Sequence, residues 1–212
     1  MNKEVLGVMT VRGGSKGLPR KNVLPLCGKP LMVWAIEQAK ASKHITRFIV
    51  STEDEEMKQL ALKNGVEVLD RPLELAQDET PTWEVLYDVL MTLEPYNPNA
   101  IVLLQATCPI RKPGLIDKCI EEFFKQDVDS LVTGDYFDET IWGRPIKRRQ
   151  DIVKEQVFVN DGNVYVFKPD IIAKGDLVGK TYAYVFTSQE EHVDIDTEYD
   201  LWLAEKIMEE RM

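Results

Sequence analysis

The sequence predicts an α/β fold, a mostly parallel sheet flanked by helices, on three observations. Short apolar runs of strand length alternate with longer runs whose apolar residues recur at three- and four-residue spacing. Punctuation falls between them: Pro30 and Pro113 where a first helical turn tolerates proline, and Asn64-Gly65 where a helix stops. A chain of 212 residues, 44% apolar and 29% charged, suits one sizeable domain with a proper core.

Taken in order, residues 5–11 read as a buried strand and residues 30–42 as the first helix. Residues 47–51 (with Phe48, Ile49 and Val50) form a second strand and residues 54–64 a helix. Residues 82–93 are helical, residues 100–104 a third strand, residues 113–126 a further helix and residues 130–133 a fourth strand. Strands that alternate with helices in this way pair in parallel and are covered on both faces. Past Gly134 the pattern breaks, and Trp142, Gly143 and Pro145 interrupt any helix. Residues 135–158 therefore read as an excursion from the core, a β-arm. Residues 164–167 and Tyr182–Phe186 read as returning strands, and residues 197–212 as a terminal helix with Thr197 as its N-cap. No repeat, low-complexity tract or linker divides the chain.

Charge and cysteine usage narrow the function. A net charge of −10 argues against a general nucleic-acid binder, which needs a basic surface. The first 30 residues are nevertheless locally basic, with Lys3, Arg12, Lys16, Arg20, Lys21 and Lys29 against Glu4. That is enough cation for a phosphate ligand. Cys27, Cys108 and Cys119 are odd in number and irregular in spacing, so a reducing compartment is expected rather than a disulfide framework. The N-terminus runs from Met-Asn-Lys-Glu straight into a strand with no signal-peptide pattern, and no apolar run approaches the roughly 20 residues of a membrane span. A cytoplasmic protein is the expectation.

The most informative segment is Arg12-Gly13-Gly14-Ser15-Lys16-Gly17-Leu18-Pro19-Arg20-Lys21-Asn22, directly after the first strand. Ligands of α/β sheets bind beyond the carboxyl ends of strands, so the position fits a binding loop. Three glycines let the backbone turn sharply and aim N–H groups at phosphate oxygens, and Arg12, Lys16 and Lys21 can neutralise a triphosphate. A plain strand–helix connection with solvated bases is the alternative. The segment is neither G-x-x-x-x-G-K-[ST] nor G-x-G-x-x-G. Late in the chain, Asp194 and Asp196 lie two apart, so an extended backbone points both the same way and lets them share Mg²⁺. Alternatively both cap the terminal helix. Gln105 and Arg111 flank a turn after a strand, at the ligand-binding rim, although Gln105 can equally satisfy loop backbone. Asn22 and Thr82 are placed to meet ribose or base, with helix capping as the competing role for Thr82.

The loop, continued through Pro25-Leu26-Cys27-Gly28-Lys29-Pro30-Leu31, resembles the signature of the acylneuraminate cytidylyltransferases, the CMP-sialic acid synthetases. Further segments are similar in order and spacing: Ile49-Val50-Ser51-Thr52-Glu53-Asp54, Arg71-Pro72 with Glu74-Leu75-Ala76-Gln77-Asp78, Leu103 to Arg111, and Asp194-Ile195-Asp196-Thr197-Glu198-Tyr199-Asp200-Leu201. The resemblance spans about nine-tenths of the chain and is weakest between 135 and 160.

The resemblance implies a single Rossmann-like nucleotidyltransferase domain over residues 1–212, with 135–160 as a dimerisation and sugar-site arm. It implies that CMP passes from CTP, with Mg²⁺, to the anomeric hydroxyl of a sialic-acid-like 2-keto acid sugar, releasing pyrophosphate. Arg12, Lys21 and Asp196 would be catalytic. Arg12, Gly13, Gly14, Ser15, Lys16, Gly17, Lys21, Asn22 and Thr82 would bind the nucleotide, Gln105 and Arg111 the sugar, and Asp194 and Asp196 the metal. A homodimer is implied; the apolar Phe137, Ile141 and Trp142 could supply its contact or simply cover the sheet edge, and Arg148, Arg149 and Gln150 would match the family's Arg-Gln pair.

The departures lie toward the sugar side. Ala106 and Cys108 replace Pro and Ser, the hydroxyl-rich run after Asp78 becomes Glu79-Thr80-Pro81-Thr82-Trp83, and Asn160-Asp161-Gly162-Asn163-Val164-Tyr165 stands for Asn-Gly-Ala-Ile-Tyr behind Val159. Rival readings are a nucleotidyltransferase joining another NTP to a sugar 1-phosphate, and a non-catalytic nucleotide-binding protein. Asp194-Ile195-Asp196-Thr197 also matches the D-x-D-x-T of aspartate-nucleophile phosphatases, but precedes one helix instead of following a domain's first strand. His44 and His192 carry no recognisable catalytic motif.

Overall fold

The structure is a computed structural model that describes residues 3–139 and 155–211. Strand β1 (Val5–Thr10) is followed by the glycine-rich loop, a single 3₁₀ turn (Lys21–Val23) and a small hairpin of β2 (Pro25–Leu26) and β3 (Lys29–Pro30). Helix α1 (Leu31–Ala41), β4 (Arg47–Thr52), α2 (Glu55–Lys63) and β5 (Glu67–Asp70) complete the first half. After a 3₁₀ turn at Leu73–Ala76 come α3 (Thr82–Thr92), β6 (Ala100–Leu103), α4 (Leu115–Gln126) and β7 (Ser130–Glu139). The chain ends with β8 (Glu155–Phe167), the short α5 (Pro169–Ile172), β9 (Tyr182–Phe186) and α6 (Glu198–Glu209).

Among the described residues the main sheet has the order β5-β4-β1-β6-β8-β7-β9. β1 pairs in parallel with β4 on one side and β6 on the other, and β5 continues the parallel set. β8 runs antiparallel between β6 and β7, and β9 returns parallel to β7. The chain therefore builds outward from β1 in one direction through β4 and β5, then reverses to β6. That reversal opens a crevice at the carboxyl ends of β1 and β6, where α/β sheets take their ligands.

β1 is buried on both faces, as a central parallel strand must be. Leu6 and Val8 pack with Leu86, Val89 and Leu90 of α3, while Met9 and Val11 pack with Met32 and Ile36 of α1 and Met57 of α2. A third cluster sets Cys119, Ile120 and Phe123 of α4 against Val102, Leu131 and Val166. Asp54 caps α2 by accepting from the N–H groups of Glu56 and Met57. Thr197 and Asp200 form a capping box at the start of α6.

Two differences from the expected elements have clear causes. β5 was not expected because Glu67-Val68-Leu69-Asp70 has polar ends and sits at the sheet edge, where burial leaves little pattern. Residues 135–139 and 155–158 prolong β7 and β8 as paired strands, so both ends of the arm are continuous with the main sheet. Ile141, Trp142, Gly143, Pro145, Arg148, Arg149 and Gln150 lie outside the described residues.

Candidate active site

A cavity of about 430 Å³ opens at the crevice. It is lined by Thr10, by the glycine-rich loop, by residues of the 75–82 segment, and by Gln105, Thr107, Asp194 and Asp196. Of the residues singled out in the sequence, Arg12, Gly14, Ser15, Lys16, Gly17, Lys21, Asn22, Thr82, Gln105, Asp194 and Asp196 line it. Gly13 and Arg111 do not.

What draws the loop and the late aspartates together is an apolar contact. Leu18, at the loop's far end, shares a cluster with Val193, Ile195, Leu26 and Leu31. Val193 and Ile195 are buried, and strict alternation leaves Asp194 and Asp196 exposed on the opposite side. The Ile195 N–H donates to the Thr107 carbonyl at 2.8 Å, which fixes the segment beside the end of β6. Loop and segment then touch directly. A Cβ on Gly17 would lie 2.6 Å from the Asp196 carbonyl oxygen, so only glycine fits without displacing backbone. The Lys21 ammonium donates to Asp196 Oδ1 at 2.6 Å and to the Ile195 carbonyl at 3.2 Å. Helix capping falls to Thr197 and Asp200, which leaves both aspartate side chains to the cavity.

The loop's conformation differs from the expected glycine-driven turn. Arg20, not a glycine, takes the left-handed backbone (φ 58), a region uncommon for a side chain of this size. Its guanidinium holds that strain by donating to both oxygens of Asp54 and to Glu56. Arg20, and after it the capping N–H groups of Met57 and Glu56, hold the Asp54 carboxyl below its usual range. Gly13 was expected to offer its amide to phosphate. That N–H instead donates to Glu53 Oε1 at 2.7 Å, and a Cβ there would meet Asp54 Oδ2 at 2.5 Å. Gly13 thus anchors the loop to the end of β4.

Arg111 is the second correction. It is buried with 7% exposure, and its guanidinium donates to the Asn163 carbonyl (2.8 Å), Gln38 Oε1 (2.8 Å) and the Gln105 carbonyl (2.7 Å). Burial lowers its pKa to about 10. It braces Gln105 from behind and does not reach the cavity. Asn22 is also buried but stays at the wall, its Nδ2 donating to the Arg12 carbonyl at 3.3 Å. Thr82 is the first residue of α3 and makes no capping bond, since Pro81 holds the N-cap position.

Two charged residues of the lining, Arg71 and Asp78, were not assigned from the sequence. Arg71 is buried, with Nη2 donating to the Ser51 carbonyl at 2.6 Å, and desolvation lowers its pKa to about 10. Asp78 pairs with Arg12 and with Lys16, each at 2.5 Å. Both stand in the Arg71-Pro72 to Asp78 stretch, whose motif match was the available signal.

Asp194 and Asp196 offer hard oxygen donors on one side of an extended strand. Among the described residues no group of three His, Cys, Asp or Glu side chains forms a closed metal cage. Two carboxylates facing an open cavity are the set Mg²⁺ uses when substrate phosphates and water supply the rest, so the residues fit that ion.

Comparison with known proteins settles the family. The family model described as "Cytidylyltransferase" matches residues 7–206. The chain belongs to the cytidylyltransferase family. Members are nucleotidyltransferase enzymes, and several similar curated proteins bear such names. The chain is 30% identical to the post-translational flagellin modification protein B of Campylobacter coli, over 98% of this chain and 96% of that one. It is 30% identical to the CMP-N,N'-diacetyllegionaminic acid synthase of Legionella pneumophila, over 97% and 96%. An N-acylneuraminate cytidylyltransferase of Streptococcus agalactiae is 29% identical over 91% of this chain, which spans 50% of that protein. In fold, the chain is similar to a CMP:2-keto-3-deoxy-manno-octonic acid synthetase complexed with CTP, with TM-score 0.74 at 15% identity, covering 99% of this chain and 100% of that one. Among the described residues no helix is long and apolar enough to cross a membrane.

Proposed function

We propose that this cytidylyltransferase uses CTP and Mg²⁺ to place CMP on the anomeric hydroxyl of a sialic-acid-like nonulosonate, with release of pyrophosphate. The observation that carries the reading is the direct junction of the glycine loop and the late aspartates, through Gly17 against Asp196 and Lys21 on Asp196. A phosphate grip and a metal-binding pair at one point of one cavity are what transfer at an α-phosphorus requires.

In this reading the free amides of residues 14–17, with Arg12, Lys16 and Lys21, hold the triphosphate. Asn22 and Thr82 meet the nucleoside. Gln105, kept in place by Arg111, faces the sugar. Asp194 and Asp196 would hold Mg²⁺, which when bound offsets charge building on the reacting phosphate and the departing pyrophosphate. Lys21 exchanges Asp196 for a phosphate oxygen as the substrate enters, so neither charge is left unpaired. One of the two aspartates accepts the proton of the attacking hydroxyl. The sugar carboxylate requires a cation other than Arg111, and Arg148 and Arg149 of the arm lie outside the described residues.

A homodimer is part of the proposal, supported by exposed Tyr136, Phe137, Tyr182 and Phe186 near the arm. So is a cytoplasmic location, supported by three free cysteines. The test is a panel of nonulosonates, sialic, legionaminic and pseudaminic acids among them, incubated with CTP and Mg²⁺. CMP-sugar formed from at least one is expected, and none from any would overturn the reading.

A further inference from the structure

Two segments that line the cavity, the glycine-rich loop and the 75–82 segment, are joined by one carboxylate. Asp78 Oδ1 pairs with Arg12 Nη2 and Asp78 Oδ2 with Lys16 Nζ, both at 2.5 Å. The Arg12 guanidinium adds a weaker bond to the Ala76 carbonyl at 3.4 Å. All three charged side chains line the cavity. Arg12 and Asp78 are about one-third exposed and Lys16 is 77% exposed, so water and a ligand reach the pairs. Two loop cations are thus neutralised by a carboxylate that occupies the place of an anion, and Lys16 and Arg12 hold that carboxylate ionised.

We infer that Asp78 is a built-in competitor of the polyphosphate: a clasp that pairs with Arg12 and Lys16 and must be displaced for phosphate to bind. When a triphosphate enters, Arg12 and Lys16 trade one carboxylate for phosphate oxygens, and the released Asp78 carries repulsive charge near the bound anion. When pyrophosphate is the remaining anion, Asp78 retakes the two cations and speeds its departure. The carboxylate thereby lowers affinity for donor and product alike, which keeps the site from being trapped by its own product. This rests on the reading of the loop as a phosphate grip, but not on the identity of base or sugar.

The probes are inorganic tripolyphosphate and pyrophosphate, titrated calorimetrically into the full chain and into Asp78→Asn. Asp78→Asn is expected to bind tripolyphosphate roughly tenfold more tightly, the scale of two exposed ion pairs. Asp78→Glu, which keeps the charge, is expected to stay within about twofold of the wild type. The gain is expected to vanish when Arg12 and Lys16 are both replaced by Ala. Equal or weaker binding by Asp78→Asn, or no binding by either protein, overturns the inference. A chain that follows this pattern but converts no CTP would sink the CTP reading and leave the clasp. CTP turnover without tighter binding by Asp78→Asn would sink the clasp alone.

Discussion

Arg12 and Arg111 are the same residue type in two parts of the protein, and their partners differ in kind. Arg12 lines the cavity, one-third exposed, held by an exposed carboxylate and a long bond to a carbonyl. Arg111 stands behind the cavity, buried, with three bonds to two backbone carbonyls and a side-chain amide. The first set of partners can be exchanged for phosphate at little cost, because exposed ion pairs contribute only about 0–1 kcal/mol. The second set cannot, since each buried acceptor left bare costs about 1–3 kcal/mol. In the proposed reading, replaceable partners leave Arg12 to bind a ligand and irreplaceable ones commit Arg111 to the structure.

The contrast can be broken most sharply at Asp196, the replaceable partner of Lys21. Asp196→Asn keeps the shape and the contact with Gly17 but loses the charge for metal. CMP transfer is expected to fall by roughly 10³-fold or more, several kcal/mol of lost charge stabilisation, with an unchanged urea midpoint. A fully active variant would refute the metal assignment. Arg111→Ala tests the other region. It is expected to lower unfolding free energy by about 3 kcal/mol or more, from bared acceptors and a cavity, read as a lower urea midpoint. Arg111→Lys is expected to recover little, because one ammonium cannot replace the planar three-way fork. Arg12→Ala should show the reverse pattern. CTP binding weakens by about 10- to 100-fold, the value of one or two charge-assisted bonds, while the urea midpoint barely moves. If Arg12→Ala unfolded the protein and Arg111→Ala only raised KM, the division would be wrong.

A smaller effect is expected at the loop's anchor. Arg20 holds the folded-state pKa of Asp54 below its unfolded value. The stabilisation is therefore fully present above the unfolded carboxyl value of about 4 and is lost as pH falls through the folded one. Asp54→Asn preserves the helix cap but not the ion pair. The wild type's advantage over it in urea is expected to shrink between pH 5 and pH 2, and an advantage that grew on acidification would contradict the assignment.

Much of this was legible in the sequence, for physical reasons that differ by element. Periodicity revealed β1, β4 and β6 because central parallel strands are apolar throughout. It missed β5, whose edge position leaves Glu67 and Asp70 exposed. The glycine loop was legible from its density of glycine and cation, yet its turn was not. Arg20 takes the left-handed conformation, and Gly13 and Gly17 are needed for close approach to Asp54 and Asp196. The late aspartates share one exposed side, as alternation predicts, because Val193 and Ile195 are buried. Arg111 was misplaced because nothing local in a sequence reveals that a cation's donors are already taken by Gln38, Gln105 and Asn163. Asp78 is not legible as a lining residue for the converse reason: its partners are two cations more than 60 positions away in the chain.

The most direct test follows the α-phosphorus itself. CTP labelled at that atom is incubated with the chain, Mg²⁺ and the accepted nonulosonate, with labelled UTP, GTP and dTTP in parallel. The label is expected to move from CTP to the sugar, with one pyrophosphate released per transfer. Label that stayed off the sugar, or moved from another nucleotide to a sugar 1-phosphate instead, would contradict CMP transfer at this site.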